Sequence, residues 1–216
     1  MSTLVTLADP HSAVAEAYRV LRTNLAFARP DAPLRTLLVT APAPDADKST
    51  AAANLAVVTA QAGRTVVVVD CDLRRPAQHA LFDLPNDAGV TTALLDDAAL
   101  ADLPLRATPV EGLRVLTSGP LPPNPAELLG TRRMGALIDR LAEMADLVLF
   151  DAPPVVAVTD AAVLAPQLDG VLLVLEAGRS RRDHTARARE LLDTVGAAVV
   201  GVVLCGVEPD TVAYGG

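Results

Sequence analysis

The sequence predicts a doubly wound α/β fold built on a mainly parallel sheet, and three observations support this prediction. Short Val- and Leu-rich runs alternate along the chain with amphipathic or Ala-rich helical stretches. These runs are apolar at successive positions, which is typical of parallel strands covered on both faces. Aspartates stand at the ends of several runs, where an open α/β sheet binds its ligands. A chain of 216 residues can build one such core, and we predict a single domain, 1–216.

The first half of the chain predicts a helix, a strand, a second helix and a second strand. Two prolines, Pro30 and Pro33, end the first helix, and Gly63 is the expected C-cap of the second. The predicted elements are helix 13–28, strand 35–40, helix 49–62 and strand 65–70.

The second half predicts four further strands after a looser region with short helices that extends to about Val110. The predicted elements are strand 113–118, helix 125–144, strand 147–151, strand 171–176, helix 181–195 and strand 198–205. The core is therefore expected over about 35–205, followed by a short C-terminal tail, 206–216.

One loop has the layout of a phosphate-binding P-loop. In "LLVTAPAPDADKSTAAANLAVV", residues 37–58, a strand leads through a turn to Lys-Ser-Thr and an Ala-rich helix. Lys48 would reach the terminal phosphates, and Ser49 or Thr50 would bind Mg²⁺. Lys48 is also the only lysine beside 17 arginines, and its compact ammonium on a flexible stem suits a tight loop.

The glycines of such a loop are missing, and Pro42, Asp45 and Asp47 stand where they would be. A carboxylate about 5 Å from a phosphate oxygen costs about 3 kcal/mol at an effective dielectric of about 20. Asp45 and Asp47 would weaken ATP binding if they face inward, whereas they could also point outward or attract a cation. An ordinary strand-to-helix loop without a ligand is the alternative.

Carboxylates at the ends of strands form the second candidate group. Asp70 and Asp72 lie in "VVVVDCD", Asp151 ends "LVLFD", and Asp160 lies in "VTDAA". Carboxylates at this edge can hold Mg²⁺, orient a nucleophile or act as a base. We expect Asp70, Asp72 and Asp151 to function together with Lys48, and we expect Asp160 to cap the helix that follows it.

Composition narrows the class of protein. The net charge is −8, from 18 basic and 26 acidic residues, which disfavours general nucleic-acid binding. No apolar stretch reaches the ~20 residues of a membrane span, and the first residues do not read as a signal peptide. The two cysteines, Cys71 and Cys205, lie in or beside apolar strand-like runs. Such cysteines are usually small buried apolar residues, and they fit a reducing compartment. We therefore expect a cytoplasmic location.

Taken together, the motifs resemble those of the bacterial tyrosine kinases, in the form of the stand-alone cytoplasmic kinase of capsule and exopolysaccharide systems. The motif "EAYRVLRTN", residues 16–24, is similar to the interface helix of that family. "APAPDADKST" stands at the Walker A position, "VVVVDCDLRRP" looks like the second Walker motif, and "LVLFDAPP" is similar to the Walker B strand. "LTSGPLPPNPAELL" is a further family-typical stretch, and the resemblance covers nearly the whole chain.

The resemblance implies a P-loop NTPase architecture of the deviant Walker type, with ATP and Mg²⁺ as cofactors. It implies phosphorylation of tyrosines on the tail of an adjacent subunit in a ring-like homo-oligomer. It also implies activation by a membrane-embedded polysaccharide co-polymerase that recruits the protein to the inner face of the membrane. It implies catalysis for Lys48, Asp70 and Asp72, and metal binding for Ser49, Asp70 and Asp151. It implies nucleotide binding for residues 45–50 and Cys205. It implies a subunit interface for Glu16, Arg19 and Arg22.

The sequence departs from the family pattern at three places. Asp45 and Asp47 replace loop glycines, Cys205 replaces an asparagine that helps to recognise adenine, and Tyr214 is the only tyrosine of the tail. A thiol is a weak substitute for an amide. Three hypotheses follow: a tyrosine autokinase with impaired ATP handling, a degenerate oligomeric or adaptor-binding module, and a partition or positioning ATPase.

Overall fold

The computed structural model describes residues 4–29, 32–44 and 46–207. Within these ranges seven strands form one sheet in the order β3-β4-β2-β5-β1-β6-β7, and every pair is parallel except β3 with β4. The strands are β1 Thr36–Thr40, β2 Val66–Asp70, β3 Arg106–Ala107, β4 Leu113–Leu116, β5 Leu147–Asp151, β6 Gly170–Glu176 and β7 Val199–Cys205. The predicted doubly wound, mainly parallel architecture is confirmed.

Helices cover both faces of this sheet. They are α1 Val5–Ala8, α2 Ala13–Phe27, α3 Lys48–Ala60, α4 Gln78–Leu81, α5 Val90–Leu95, α6 Asp97–Ala101, α7 Pro125–Leu129, α8 Arg132–Met144, α9 Asp160–Leu164 and α10 Arg182–Thr194. A 3₁₀ turn, Ala165–Gln167, follows α9.

Alternating side chains of each central strand enter two separate cores. In β2, Val67 and Val69 pack on one face, whereas Val66 and Val68 pack on the other. Period-two alternation sends successive residues to opposite faces, and both faces are covered by helices. This arrangement explains why the central strands are apolar throughout rather than alternating.

The helix that follows β1 is buried almost all round. Its sequence, KSTAAANLAVVTA, consists mainly of small residues, so α3 packs closely between the sheet and the N-terminal helices. Asp47 caps its first turn, and the helix ends at Ala60, two residues before the predicted end. Gly63 then takes φ +83°, a left-handed conformation that favours glycine, and closes the turn into β2.

Three parts of the predicted element map are corrected. The predicted helix 125–144 is two helices, because Gly130 follows the first and Thr131 has an extended backbone before the second. The short strand β3 and helix α1 were not predicted. Helix α1 is held against α3, where the amide and the hydroxyl of Thr6 both donate to Asn54 Oδ1, at 3.1 and 2.8 Å.

Candidate phosphate and metal site

The predicted site residues meet at the carboxyl edge of the sheet, where β2, β5 and β1 are neighbours. Asp70 ends β2 and pairs in register with Asp151, which ends β5. Lys48 begins α3, directly beyond the loop that follows β1. Because parallel strands present their carboxyl ends at one edge, residues about 100 positions apart converge there.

Lys48 is the centre of the cluster. Its ammonium lies 2.9 Å from Asp72 Oδ2 and 2.9 Å from Asp151 Oδ1, and it donates to Ser49 Oγ at 3.2 Å. The lysine is only 6% exposed, and Asp151 is fully buried. Burial works to lower the pKa of Lys48, but the charges of Asp151 and Asp72 raise this pKa above its ordinary value. The ammonium is therefore a fixed positive charge in a buried carboxylate pocket.

Asp70 is held by backbone amides rather than by the lysine. Its Oδ2 accepts from the backbone amides of Ala77 and Gln78 at 3.0 and 2.9 Å, and its Oδ1 accepts from the backbone amide of Asp72 at 3.3 Å. Burial, and then the charge of Asp151, raise the pKa of Asp70 to about 8, although the amides and Lys48 oppose this rise. The carboxyl group is thus oriented, but its charge is disfavoured by its surroundings.

Asp72 joins Lys48 to the loop that follows β2. One of its oxygens pairs with the ammonium, and the other accepts from the amide of Arg75 at 2.9 Å. Both oxygens are therefore engaged, which fixes the carboxylate of the predicted catalytic residue. Asp70, Asp72, Asp151 and Lys48 are brought together as the sequence predicted.

Gln78 belongs to this cluster and was missed by the sequence analysis. It is fully buried, and its side-chain amide donates to Asp151 Oδ2 at 2.8 Å and to the carbonyl of Ser49 at 3.1 Å. A lone glutamine at the start of a four-residue helix has no recognisable pattern. The nearest indication was its position six residues after Asp72, beyond the "LRRP" turn.

Asp160 also has a different role from the predicted one. Thr159, not Asp160, precedes the first residue of α9, and the Asp160 side chain makes no capping bond. Its two oxygens instead accept from Arg74 Nε and Nη2, each at 3.1 Å. The prediction of a helix cap is wrong, because the buried carboxylate pairs with an arginine of the β2 loop.

The P-loop position is described except at one residue, since Asp45 lies outside the described ranges. Asp47 is exposed, and its Oδ1 accepts from the amide of Thr50 at 3.2 Å. Ala46 is partly buried, and its carbonyl accepts from the amide of Lys48 at 3.0 Å. The first amides of a helix are the groups that would donate to a phosphate. One of them, the amide of Thr50, already donates to the Asp47 carboxylate.

Cys205 ends β7 near this loop. Burial, and then the charges of Glu176 and Asp47, raise the pKa of the Cys205 thiol, which is half-buried. The same charge acts on Tyr18 of α2. Burial, and then the charges of Cys205 and Asp47, raise the pKa of the Tyr18 phenol. Both side chains are therefore close enough to Asp47 for its charge to act on them, and the nucleotide contact at Cys205 stays a prediction.

The predicted interface residues lie on α2. Glu16 forms an ion pair with Arg19 at 2.9 Å, and Arg22 donates to the carbonyl of Val58 in α3 at 3.0 Å. Arg22 thus already fastens α2 to the body of this chain. Tyr214, the predicted phosphoacceptor, lies outside the described residues.

The donor set of the pocket fits Mg²⁺. Ser49 and the carboxylates of Asp70 and Asp151 supply the hard oxygen ligands that this ion prefers. Within the described ranges, no three His, Cys, Asp or Glu side chains are already arranged as a metal cluster. Mg²⁺ is usually held by one or two carboxylates with waters and substrate phosphates, so such a cluster is not required. A buried acceptor without a partner, Gln78 Oε1, is a further sign that a ligand completes the pocket.

No helix among the described residues is long and apolar enough to cross a membrane.

A family profile described as the CobQ/CobB/MinD/ParA nucleotide binding domain matches residues 37–211. The chain is 40% identical to the tyrosine-protein kinase YwqD of Bacillus subtilis, over 94% of this chain and 85% of that protein. It is 36% identical to a putative tyrosine-protein kinase, CapB of Staphylococcus aureus, over 90% of this chain and 85% of that protein. Among solved structures, the chimerical protein CapA2B2 superposes with a TM-score of 0.90 and 40% identity, over 96% of this chain and 91% of that one.

Proposed function

Since this chain belongs to the bacterial tyrosine-protein kinases within the CobQ/CobB/MinD/ParA nucleotide-binding family, we propose that it is an ATP-dependent tyrosine autokinase. We propose further that it regulates the biosynthesis and export of capsular polysaccharide or exopolysaccharide. The observation that supports the kinase activity best is the position of Lys48. Its ammonium lies 2.9 Å from both Asp72 and Asp151, at the edge of the sheet where ligands bind.

In the proposed reaction the bond between the γ-phosphorus and its bridging oxygen breaks, a bond to the tyrosine oxygen forms, and ADP leaves. Lys48 would move from its carboxylates to the phosphates, which carry more negative charge. Asp70 and Asp72 would orient the tyrosine hydroxyl and accept its proton. Ser49, Asp70 and Asp151 would hold Mg²⁺, which neutralises phosphate charge when bound.

The proposed substrate is the tail of a second copy of the chain, with Tyr214 as the phosphoacceptor. Glu16, Arg19 and Arg22 of α2 are proposed to contact a neighbouring subunit in a ring. A membrane-embedded polysaccharide co-polymerase is the proposed activator, and it would bring this cytoplasmic protein to the membrane. Nucleic acid is not a proposed partner.

One observation favours a second candidate, a degenerate module that keeps the fold and the interface without turnover. The Asp47 carboxylate occupies the amide of Thr50, where a glycine would leave that amide free for phosphate. Cys205 in place of an amide side chain acts in the same direction, because a thiol is a weak hydrogen-bonding group.

The two candidates are separated by titrating the protein with a fluorescent ATP analogue and Mg²⁺, and then blotting for phosphotyrosine. The kinase predicts micromolar binding and a signal that Tyr214→Phe abolishes. Tyr18→Phe is the matched control, because the chain has only these two tyrosines. Absence of binding, with recovery when residues 45 and 47 are both changed to glycine, would favour the degenerate module instead. Hydrolysis of ATP stimulated by DNA would contradict both and favour a positioning ATPase.

The proposed ring is tested by light scattering after size exclusion. Glu16→Lys reverses an exposed charge of the proposed interface without touching the Arg22 contact to Val58. We expect a smaller assembly at an unchanged melting temperature. An unchanged assembly would contradict the interface assigned to Glu16.

A further inference from the structure

Gln78 contacts each of the three residues proposed to bind magnesium. Its backbone amide donates to Asp70 Oδ2 at 2.9 Å, and its side-chain amide donates to Asp151 Oδ2 at 2.8 Å and to the Ser49 carbonyl at 3.1 Å. Asp70 ends β2, Asp151 ends β5, and Ser49 lies in α3, which follows β1. One buried residue therefore fixes the relative positions of all three.

The orientation of the side-chain amide is settled by its neighbours. Both nearby groups, the Asp151 carboxylate and the Ser49 carbonyl, can only accept a hydrogen bond. The nitrogen must therefore face them, and a flipped amide would place its oxygen against two acceptors. This orientation leaves the carbonyl oxygen, Oε1, on the remaining side of the amide.

That oxygen is buried and has no hydrogen-bond partner within the described part of the chain. A buried acceptor without a donor costs about 1–3 kcal/mol, so buried polar atoms are nearly always paired in native proteins. Gln78 itself is fully buried. The missing donor is therefore expected to arrive with a ligand.

We propose that Gln78 is the positioning residue of the magnesium site, and that its Oε1 accepts a hydrogen bond from a water of the hydrated cation. The inference rests on the proposed function, since it deepens the same site. Mg²⁺ keeps several waters when it binds to proteins, and these waters are strong donors. Residues that orient the ligands of a metal typically change its affinity by 10- to 100-fold when they are substituted.

A purely structural role makes a different prediction for the cation. If Gln78 only fastened α4 to β5, its loss would destabilise the metal-free protein and leave the affinity for the cation unchanged. If it positions the ligands, its loss lowers metal affinity as well. The metal-free protein is destabilised in both cases, because Asp151 Oδ2 and the Ser49 carbonyl lose this donor, so the affinity for the cation separates the two roles.

The test uses Gln78→Met in the full chain, which keeps the length of the side chain and the backbone bond to Asp70. Binding of Mn²⁺ alone is measured by the loss of its free electron paramagnetic resonance signal, and unfolding by urea is followed with and without Mn²⁺. We expect the Mn²⁺ dissociation constant to rise by 10- to 100-fold. The metal-free urea midpoint should fall, because Asp151 Oδ2 and the Ser49 carbonyl lose their donor, and Mn²⁺ should raise the midpoint of the variant by less than that of the unaltered chain. Thr59→Val, which removes a buried hydroxyl that bonds only within α3, is the control and should leave Mn²⁺ binding unchanged.

Equal Mn²⁺ binding by Gln78→Met and the unaltered chain would overturn the role of Gln78 but leave the proposed kinase untouched. Absence of Mn²⁺ binding by the unaltered chain would overturn the metal site itself, and with it the metal part of the proposed function. If Gln78→Met does not fold, Gln78→Asn replaces it, because the shorter amide cannot reach Asp151. The same loss of affinity is expected there, and retained affinity would again overturn the role.

Discussion

At the scale of single residues, two charged side chains would dominate the electrostatic contribution to phosphate binding. Lys48 supplies the positive charge, but two carboxylates hold it at 2.9 Å before any nucleotide arrives. Asp47 supplies a negative charge at the N-terminus of α3, where its carboxylate accepts a hydrogen bond from the amide of Thr50. Under the proposed function, the affinity for nucleotide would depend on how easily Lys48 is released from its carboxylates and Asp47 is displaced from the Thr50 amide.

Asp47→Asn separates the charge of this residue from its capping bond. Asparagine caps helices about as well as aspartate, so the stability of the protein should be nearly unchanged. Removal of the negative charge should strengthen nucleotide binding by about tenfold, since about 1.4 kcal/mol corresponds to a tenfold change. Fluorescence titration with an ATP analogue measures the affinity, and urea unfolding checks the stability. Equal affinity in the two proteins would show that the Asp47 charge does not reach the phosphates.

Lys48→Met should cost both stability and function. It leaves the buried carboxylates of Asp72 and Asp151 without their ammonium, and removal of one partner from a buried ion pair typically costs about 3–5 kcal/mol. We expect a lower urea midpoint at neutral pH together with loss of nucleotide binding. Arg189→Met is the control, because its only ion pair is an exposed one to Asp193 at 3.6 Å and should contribute little. A variant as stable as the unaltered chain would contradict the buried pairing.

At the scale of elements, two similar contacts align neighbouring strands at the opposite edge of the sheet. Asp146, before β5, accepts from the amide and hydroxyl of Thr65, before β2, at 2.8 Å each. Asp169, before β6, accepts from the amide and hydroxyl of Thr36 in β1, at 2.9 and 3.0 Å. Each contact fixes where two parallel strands begin, and thereby which residues reach the functional edge.

The contact of Asp169 makes stability depend on pH. Partial burial would raise the pKa of Asp169, but the amides of Arg35 and Thr36 and the Thr36 hydroxyl lower it below its ordinary value. The stabilisation is thus fully present above the unfolded pKa of about 3.9 and is lost as the pH falls through the lower, folded pKa. Asp169→Asn keeps an acceptor but has no charge to lose.

We therefore expect Asp169→Asn to be about 1 kcal/mol less stable at pH 7, and to lose less stability than the unaltered chain below about pH 4. Urea midpoints measured from pH 3 to pH 7 give both quantities. Asp102→Asn, at an exposed position, is the control. Parallel stability curves for Asp169→Asn and the unaltered chain would contradict the assignment.

At the scale of the whole molecule, one ion pair joins two loops that carry the site. Arg74 lies in the loop after β2, two residues beyond Asp72, and Asp160 begins the helix that follows the β5 loop. The Asp160 side chain is fully buried, whereas that of Arg74 is 41% exposed. The pair holds the Asp72 loop next to the segment that leads from Asp151.

Arg74→Met should destabilise the protein because it leaves a buried carboxylate without its partner. We expect a loss of about 2–3 kcal/mol, below the value for a fully buried pair because Arg74 is partly in contact with solvent. Adding Asp160→Asn to this variant should restore most of the loss. A double-mutant cycle from urea unfolding measures the coupling, and additive effects of the two changes would contradict it.

The sequence by itself determined the fold class and the meeting of Lys48 with Asp70, Asp72 and Asp151. Both follow from local properties, since apolar runs define the strands and parallel strands bring their carboxyl ends to one edge. The P-loop layout was recognisable for the same reason, because strand, turn, lysine and helix are contiguous in the chain.

Only the tertiary structure decided the partners of individual polar groups. It placed Gln78 between Ser49 and Asp151, turned the Asp47 carboxylate onto Thr50, paired Asp160 with Arg74 and divided the predicted helix 125–144 into two. Most of these contacts join segments that are distant along the chain, and their formation depends on how the loops approach in three dimensions. Periodicity and residue type specify which face of an element is buried, but they do not specify which donor meets which acceptor across that face.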